Sequence, residues 1–259
     1  MKGESLQHMA PAGLVEYGLE QFYLALAKYG NLPWGKEPGF SWVHNPYTGW
    51  PSFIFSIRFP SASQKKDIAE LKLSAEKCTY PDSLVVSDHR SGDLLNLLVQ
   101  AGFIPVLSWT GMWCTTEMLY FFPGTEKVRL EETCNIVQAE EFAGVVNEVL
   151  FVAKRISPRL VVTSESAGLW FYRVFFEHHL AGSIAWHHIG NLCGIYLVTV
   201  KPEFRRMGIA QTATAWVIKK ALDEGCSRFI LHASKMGEPV YLKLGFQPVS
   251  RLWILKCGR

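Results

Sequence analysis

The second half of the chain alternates short apolar runs with amphipathic helical segments. Residues Ile195–Val200 are β-branched, aromatic or aliphatic, which predicts a buried strand, and Pro202 ends that strand because proline cannot donate to the ladder. A helix is predicted from Gln211 to about Asp223. The pattern then predicts a strand over 228–234, and a short helix leading into a final strand over 237–249.

Further elements are predicted ahead of this segment. The first strand of the second half is expected at Val128–Gln138, and a helix from Glu140 to about Arg155. Three antiparallel strands joined by tight turns are then expected at Leu169–Phe176, Ala181–His188 and Gly194–Val200.

The first half has the same kinds of element in a similar order. Its helices are predicted at 10–29, 64–77 and 92–101, and its strands at 52–59, 84–87 and 104–119. A long connection rich in glycine, proline and tryptophan, residues 30–51, follows the first helix. Its side chains Trp34, Trp42, Trp50 and His44 either line an acceptor site or pin an irregular segment.

The strand, loop and helix around residues 195–223 predict a site for an anion. The loop is basic and contains a glycine, since residues 205–210 read Arg-Arg-Met-Gly-Ile-Ala. The first N–H groups of a helix have no partner within the helix, and the helix dipole adds about half a positive charge at that end. Gly208 allows the backbone to approach a phosphate closely. An ordinary strand-to-helix turn with solvated arginines is the alternative explanation.

Two motifs of this half resemble those of the GNAT N-acetyltransferases. Residues 205–210, Arg-x-x-Gly-x-Ala after a strand ending in Val-x-Pro, are similar to the family's (Q/R)-x-x-G-x-(G/A) motif, which cradles the pyrophosphate of acetyl-CoA. Residues 241–246, Tyr-Leu-Lys-Leu-Gly-Phe, resemble the family's closing Y-x-K-x-G-F. The resemblance covers about residues 128–259. It implies an α/β (α+β) fold with a mixed, mainly antiparallel sheet flanked by helices, and an acetyl-CoA-dependent N-acetyltransferase.

The resemblance also implies which residues bind acetyl-CoA. Arg205 is expected to add charge, and the pyrophosphate is expected to lie against the backbone N–H groups of Arg206, Met207, Gly208, Ile209, Ala210 and Gln211. The strand residues Val198, Thr199 and Val200 are expected to pair with the pantetheine arm in the manner of an added strand. A backbone N–H near Val198 is expected to stabilise the thioester oxygen.

Two side chains are expected to act near the sulfur. Tyr241 is the predicted catalytic acid, because a phenol with a pKa of ~10 is still protonated at neutral pH and can donate to a departing thiolate. Ser234 is expected to contact the sulfur or a pantetheine amide, with a helix cap as its alternative role.

The general base is not specified by the sequence. An amine with a pKa of ~10 must lose a proton before it attacks, directly or through water. The candidates are Glu177, His187, His188 and His232. A histidine on an apolar strand is more often a satisfied core group than a base, so the choice stays open.

Residues 1–125 are predicted to form a degenerate, non-catalytic GNAT-like or capping domain, with a linker at 121–127, and residues 126–259 the catalytic domain. At the spacing of 143 positions that separates Phe103 from Phe246, Gly102 meets Gly245, His89 meets His232 and Ser91 meets Ser234. At the same spacing Ala62, Lys65 and Asp67 occupy the positions of Arg205, Gly208 and Ala210, and Leu98 that of Tyr241. The first half therefore lacks the phosphate loop and the tyrosine. Chance similarity of two βαβ segments is the rival explanation.

Composition narrows the classes of partner. The net charge of +3 is too small to indicate a nucleic-acid partner, and no apolar run reaches the ~18–20 residues that span a bilayer. No signal peptide is visible, and six scattered cysteines without C-x-x-C are typical of reduced cytosolic thiols rather than a metal site. We expect a cytoplasmic enzyme that acts on a small-molecule or peptide amine and needs no metal. A non-catalytic module that binds and senses acyl-CoA is the alternative, and the oligomeric state stays open.

Overall fold

The computed structural model describes residues 6–91, 93–120, 122–151 and 154–258, with the backbone alone for Arg90 and Ser91. Its helices are α1 (Pro11–Tyr29), α2 (Gln64–Glu76), α3 (Asp88–Ser91), α4 (Leu94–Gln100), α5 (Ile136–Leu150), α6 (Ile209–Asp223) and α7 (Glu238–Leu242). Its strands are β1 (Trp34–Glu37), β2 (Phe40–Val43), β3 (Phe53–Phe55), β4 (Ser83–Ser87), β5 (Phe103–Thr115), β6 (Val128–Glu132), β7 (Leu169–Phe176), β8 (His179–Ile189), β9 (Leu192–Val200), β10 (Arg228–Ala233) and β11 (Gln247–Cys257).

The chain divides into two compact units that do not follow the predicted boundary between residues 125 and 126. The first unit consists of Met1–Gly111 together with Val249–Arg259, and the second of Met112–Pro248. The end of the chain belongs to the first unit because β11 lies antiparallel to β4, with Leu252 opposite Ser87. The partner of a strand is chosen by tertiary packing, so the order of elements along the chain did not reveal this division.

In the first unit the strand order is β1-β2-β3-β4-β11-β5. Strand β3 runs parallel to β4, and the hairpin β1–β2 pairs antiparallel with β3. Helices α2 and α4 bury apolar side chains against this sheet. The buried cluster includes Ile54, Ile68, Leu71, Leu84, Leu98, Phe103 and Leu255.

In the second unit the strand order is β10-β9-β8-β7-β6. All neighbouring pairs are antiparallel except β9 and β10, which run parallel. Helix α6 covers one face, where its side chains join a buried cluster that includes Trp186, Ile195, Phe229 and Val217. Helix α5 packs on the opposite face, with the ring of Phe142 edge-on to the ring of Phe171 at a centroid distance of 5.6 Å.

The segment 30–51, predicted as a long connection, contains the hairpin β1–β2. Trp34 pairs with Val43 and Glu37 with Phe40, with Pro38 and Gly39 in the turn. The strand predicted at 52–59 is shorter, since only Phe53–Phe55 are extended in the sheet. The sequence did not predict these two strands for two reasons. Each has only four residues, too few for a clear alternation, and the surrounding glycines and prolines are typical of a loop.

Helix α5 begins earlier than predicted, so the strand predicted at 128–138 ends at Glu132. The Asn135 side chain accepts from the Gln138 backbone N–H at 3.1 Å, and the Gln138 side chain accepts from the Cys134 N–H at 2.8 Å. These two bonds satisfy backbone N–H groups at the helix start in a variant of the capping box, in which the Gln138 side chain bonds the residue before the N-cap. The predicted end near Arg155 is also wrong, since the helix ends at Leu150. Residues 152 and 153 of that prediction lie outside the described residues, as do Gly92 and Phe121 of the predicted helix and linker.

Candidate active site

Strands β9 and β10 pair at their beginnings and separate toward their ends. Leu192–Ile195 lie opposite Arg228–Leu231 in parallel register. Strand β9 then continues to Val200 and β10 to Ala233, all within the described part of the chain, without further pairing between the two strands. Main-chain groups that leave a ladder in this way can pair with the amides of an extended ligand, as an added strand would.

Strand β9 also contains one extra residue beside β8. Ser183 lies opposite Thr199 and Ala185 opposite Tyr196, so two steps along β8 match three steps along β9. Leu197, inside this irregular stretch, has a φ of 51°, in the left-handed region. The stretch is therefore a β-bulge, which breaks the ladder and changes the direction of the side chains that follow.

The bulge changes which positions of β9 face α6. Before it, Cys193 and Ile195 are buried in the cluster shared with α6, and after it Val198 and Val200 pack against the same cluster. The inward positions shift from odd to even numbers because one residue has been inserted. As a result, Val198 follows directly on the irregular backbone at the point where β9 and β10 have separated.

A buried serine holds the bulge in place. The Ser183 hydroxyl donates to the Leu197 carbonyl oxygen at 2.9 Å, and its Oγ lies 2.7 Å from Oγ1 of Thr199. Neither Ser183 nor Leu197 was among the predicted site residues. The sequence carries no signal for them, because residues 195–200 read as a regular apolar strand.

The predicted phosphate loop has the geometry of an anion site. A short 3-10 turn at Pro202–Phe204 follows β9, and helix α6 begins at Ile209. Arg206 and Gly208 both have left-handed backbone, with φ of 66° and 77°. The first helical bond runs from the Thr212 N–H to the Gly208 carbonyl oxygen at 2.9 Å. The N–H groups of residues 209–211 are thus left without partners inside the helix.

The space beside Gly208 is open. A Cβ atom built on Gly208 would have no heavy atom within 4 Å apart from its chain neighbours. The side chains of Arg205, Arg206 and Met207 are exposed, and Arg205 Nε donates to the Val200 carbonyl oxygen at 3.3 Å. Exposed basic side chains, N–H groups without helical partners and open space beside Gly208 thus occur together at this helix N-terminus, the arrangement that favours a phosphate group.

Tyr241 lies in α7 and belongs to the same buried cluster as Ile209, with Val198 packed against that cluster. Its side chain is 7% exposed, and its ring stands edge-on to Phe246 at 6.1 Å. Burial raises the pKa of Tyr241 well above that of a free phenol. The phenol is therefore fully protonated at neutral pH, as a proton donor must be.

Ser234 follows the end of β10 and caps the turn into α7. Its Oγ accepts from the Gly237 N–H at 3.1 Å. A Cβ atom on Gly237 would lie 3.3 Å from Tyr241 Cε2 and 3.4 Å from Ser234 Oγ, so Gly237 lies between the two side chains. The Ser234 hydroxyl thus binds the turn that leads into α7, and its exposed side chain lies near Tyr241.

The four base candidates occupy different places. Glu177 lies in the β7–β8 turn, where a bond of 2.8 Å from Lys127 lowers its pKa. Burial lowers the pKa of His187 to about 4, and His187 lies opposite Gly194, about 13 Å along the strand from Val198. His188 follows it and donates from Nε2 to the Gly190 carbonyl oxygen at 2.6 Å.

Of the four candidates, His232 is the one beside the gap that opens where β9 and β10 stop pairing. It directly follows Leu231, the last residue of β10 that is in register with β9. Its neighbours Leu231 and Ala233 are buried in the cluster shared with α6, so by alternation the His232 side chain points to the opposite face.

The cysteines do not offer a nucleophile in this region. Burial raises the pKa of Cys114 and of Cys226 to about 12, and raises that of Cys193 well above its ordinary value. A thiol with such a pKa is not ionised at neutral pH, so it reacts poorly.

Residues 133–246 match the model of the acetyltransferase (GNAT) family. This part of the chain is a GNAT domain. It contains the predicted phosphate loop, the gap between β9 and β10, and Tyr241. A comparison of the whole sequence with curated proteins found no match.

Solved structures resemble the GNAT domain and the first half together. A GCN5-related N-acetyltransferase from Kribbella flavida superposes with a TM-score of 0.75 at 15% identity, over 97% of each chain. One from Sphaerobacter thermophilus gives 0.60 at 14% identity, over 95% of this chain and 93% of that one. A tandem GNAT protein of the clavulanic acid biosynthesis pathway gives 0.52 at 14% identity, over 85% and 79%. At such identities the likeness concerns the fold, and it extends to the first half, which also resembles a GNAT fold.

No helix within the described ranges is long and apolar enough to cross a membrane.

Proposed function

We propose that this protein transfers an acetyl group from acetyl-CoA to a primary amine, in a direct ternary complex. The observation that carries the proposal is the open volume beside Gly208, at a helix N-terminus that follows a bulged strand with an unpaired end. Membership of residues 133–246 in the GNAT family supports acyl transfer.

The loop residues hold the cofactor end of the complex. The backbone N–H groups of Arg206 to Gln211 bind the pyrophosphate, and Arg205 and Arg206 add positive charge near it. The unpaired edge of Val198, Thr199 and Val200 hydrogen-bonds the pantetheine amides. Acetyl-CoA supplies the activated acyl group as a thioester.

The strand and Tyr241 act at the reacting end. A main-chain N–H at the bulge, near Val198, stabilises the negative charge that develops on the thioester oxygen, because it is fixed in place before the reaction. Tyr241 donates its proton to the sulfur as the thiolate leaves. His232, beside the gap on the face away from α6, is the proposed acceptor of the amine proton.

Calorimetric titration with acetyl-CoA, and with free CoA, tests the binding step. Gly208→Ala should weaken binding of both ligands more than tenfold, because a Cβ enters the volume assigned to the phosphates. Gly225→Ala is the matched control, since Gly225 also has a positive φ (85°), no heavy atom within 4 Å of its added Cβ, and follows the same helix. Both substitutions should cost about 1 kcal/mol of stability, because both place a side chain in the left-handed region.

Thiol release in the presence of an amine panel tests the chemistry. Turnover with at least one amine supports the enzyme. Tight binding of acetyl-CoA without turnover of any amine would instead favour a module that senses acyl-CoA. Absence of binding, or equal binding by the Gly208 and Gly225 variants, would overturn the phosphate site.

A further inference from the structure

The first unit has a cavity of about 490 Å³ that the proposed acyl transfer does not use. It lies between the β1–β2 turn, the segment after β3 and the first turns of α2. The residues that define its character are Glu37, Phe40, Phe59, Asp67, Glu70 and Tyr80. Its volume is within the ~300–1,000 Å³ of pockets that take small molecules.

Aromatic rings form the walls of this cavity. Phe40 stands edge-on to Phe59 at a centroid distance of 6.3 Å and to Tyr80 at 5.1 Å, and Tyr80 also contacts Trp42 at 5.6 Å. All four rings are half-buried, so part of each remains accessible. Partly accessible aromatic rings attract organic cations through the quadrupole of the ring.

The backbone at Gly39 is shaped to admit one of these rings. A Cβ atom on Gly39 would lie 2.7 Å from Cδ1 and Cε1 of Phe59. Any larger residue would push the Phe59 ring out of its place. The glycine therefore belongs to the construction of the aromatic wall.

The polar groups of the cavity are carboxylates. Glu37 Oε1 accepts from Trp42 Nε1 at 3.2 Å, and Asp67 Oδ2 accepts from the Ser63 hydroxyl at 2.7 Å. Both bonds come from neutral donors, so they leave the negative charge uncompensated. Of the three carboxylates in the cavity lining, Glu70 is the one for which the described residues show a lysine or arginine partner, the highly exposed Lys66 at 3.7 Å.

One of these carboxylates, Glu37, acts directly on Tyr80 in the wall of the cavity. Burial, the negative charge of Glu37 and a hydrogen bond with Glu37 all raise the pKa of Tyr80. A cation in the cavity would be stabilised by the same negative potential.

The cavity contrasts with the equivalent region of the GNAT domain. In the alignment of the two halves, Asp67 stands where Ala210 follows the phosphate loop. The GNAT domain has Arg205 and Arg206 before its helix, whereas α2 of the first unit has Lys65, Lys66 and Asp67 in its first turn and Glu70 in its second. Of these α2 residues, the two carboxylates line the cavity and the two lysines do not, so the lining suits a ligand of positive charge.

We propose that this cavity binds a small organic ammonium cation, held against the faces of Phe40, Phe59 and Tyr80 and neutralised by Glu37 and Asp67. The proposal is independent of the acyl-transfer function. A small molecule is the occupant because the volume of about 490 Å³ matches a molecule of that size.

Calorimetry on the full chain at physiological salt tests the proposal. Choline and cadaverine are the cationic probes, and each is paired with an uncharged isostere, the neutral carbon analogue of choline and pentanediol. At least one cation should bind saturably, and its neutral partner should bind at least tenfold more weakly, because only the cation gains from the rings and carboxylates. Saturation of neither cation below about 10 mM, or equal binding of a cation and its neutral partner, would overturn the proposal.

Variants locate the binding. Glu37→Gln and Phe59→Leu should each weaken the bound cation by about tenfold or more. Glu70→Gln removes an exposed carboxylate of the cavity lining, and its loss should not disturb the fold. Glu148→Gln removes an exposed carboxylate on α5, outside the cavity, and is the control for the three cavity variants. Circular dichroism and thermal unfolding verify that each variant is folded. If the cavity variants bind the cation as the Glu148 variant does, the cation binds elsewhere and the proposal fails.

Discussion

The imidazole ring of His232 stacks on the phenol ring of Tyr196, with centroids 5.9 Å apart and planes inclined by 20°. Tyr196 is the first residue of β9 beyond the register with β10, and His232 is the corresponding first residue of β10. The stacked pair therefore spans the point where the two strands separate. This position places a titratable group at the mouth of the gap, on the face opposite α6.

His232→Gln is expected to lower kcat about 10²-fold and to leave the Kd for acetyl-CoA unchanged, because a general base acts on the amine and not on the cofactor. His188→Gln is the matched control, since His188 lies at the β8–β9 turn. Steady-state kinetics with the best amine of the panel, combined with calorimetry, measures both quantities. Equal kcat values for the two variants would remove His232 from the proton transfer.

Tyr241→Phe is expected to reduce kcat about 10²-fold with unchanged acetyl-CoA affinity, because only the departing thiolate needs the phenolic proton. The ring itself remains to fill its place in the core. Tyr172→Phe is the control, since Tyr172 is buried in the same cluster and burial raises its pKa as well. A Tyr241→Phe enzyme with full turnover would assign the tyrosine to packing alone.

Substitutions of Leu197 should separate backbone strain from side-chain packing. Leu197→Ile is expected to lower the free energy of unfolding by about 1–2 kcal/mol, because a β-branched residue tolerates the left-handed region poorly. Leu197→Gly should be close to neutral, since relief of strain offsets lost packing and added chain entropy. Urea denaturation measures both variants. If isoleucine were tolerated and glycine were not, the bulge would not be strained at this residue.

His187 should make stability depend on pH in the acid range. Burial lowers its pKa from 6.5 to about 4, so the unfolded chain binds more protons than the folded one between these values. The contribution is complete above pH 6.5 and is lost as pH falls toward 4, by up to about 3 kcal/mol. Urea denaturation of the wild type and of His187→Gln at several pH values measures the effect. The free energy of unfolding should depend less on pH in the variant. Parallel curves would contradict the assignment.

The sequence by itself determined most elements of the second half and the position of the basic, glycine-containing loop before α6. Strands β7, β9 and β10 and helix α6 lie within a few residues of their predicted bounds, because apolar periodicity and proline or glycine at the ends act locally. The loop was recognisable for the same reason, since an anion site made of consecutive residues needs only a basic segment, a glycine and a helix start. The match of Gly102 with Gly245 is also visible in the backbone, where their φ values are 94° and 99°.

Tertiary structure decided the features that depend on partners distant in sequence. The bulge at Leu197 exists only relative to the register of β8, and the pairing of β11 with β4 joins segments more than 150 residues apart. The same holds for the choice among the histidines, because burial and strand register, rather than residue type, place His187 in the core and His232 at the gap. The cavity of the first unit also depends on tertiary structure. Glu37 of β1 and Asp67 of α2 line the same cavity only because these two elements, which are distant in sequence, pack close together.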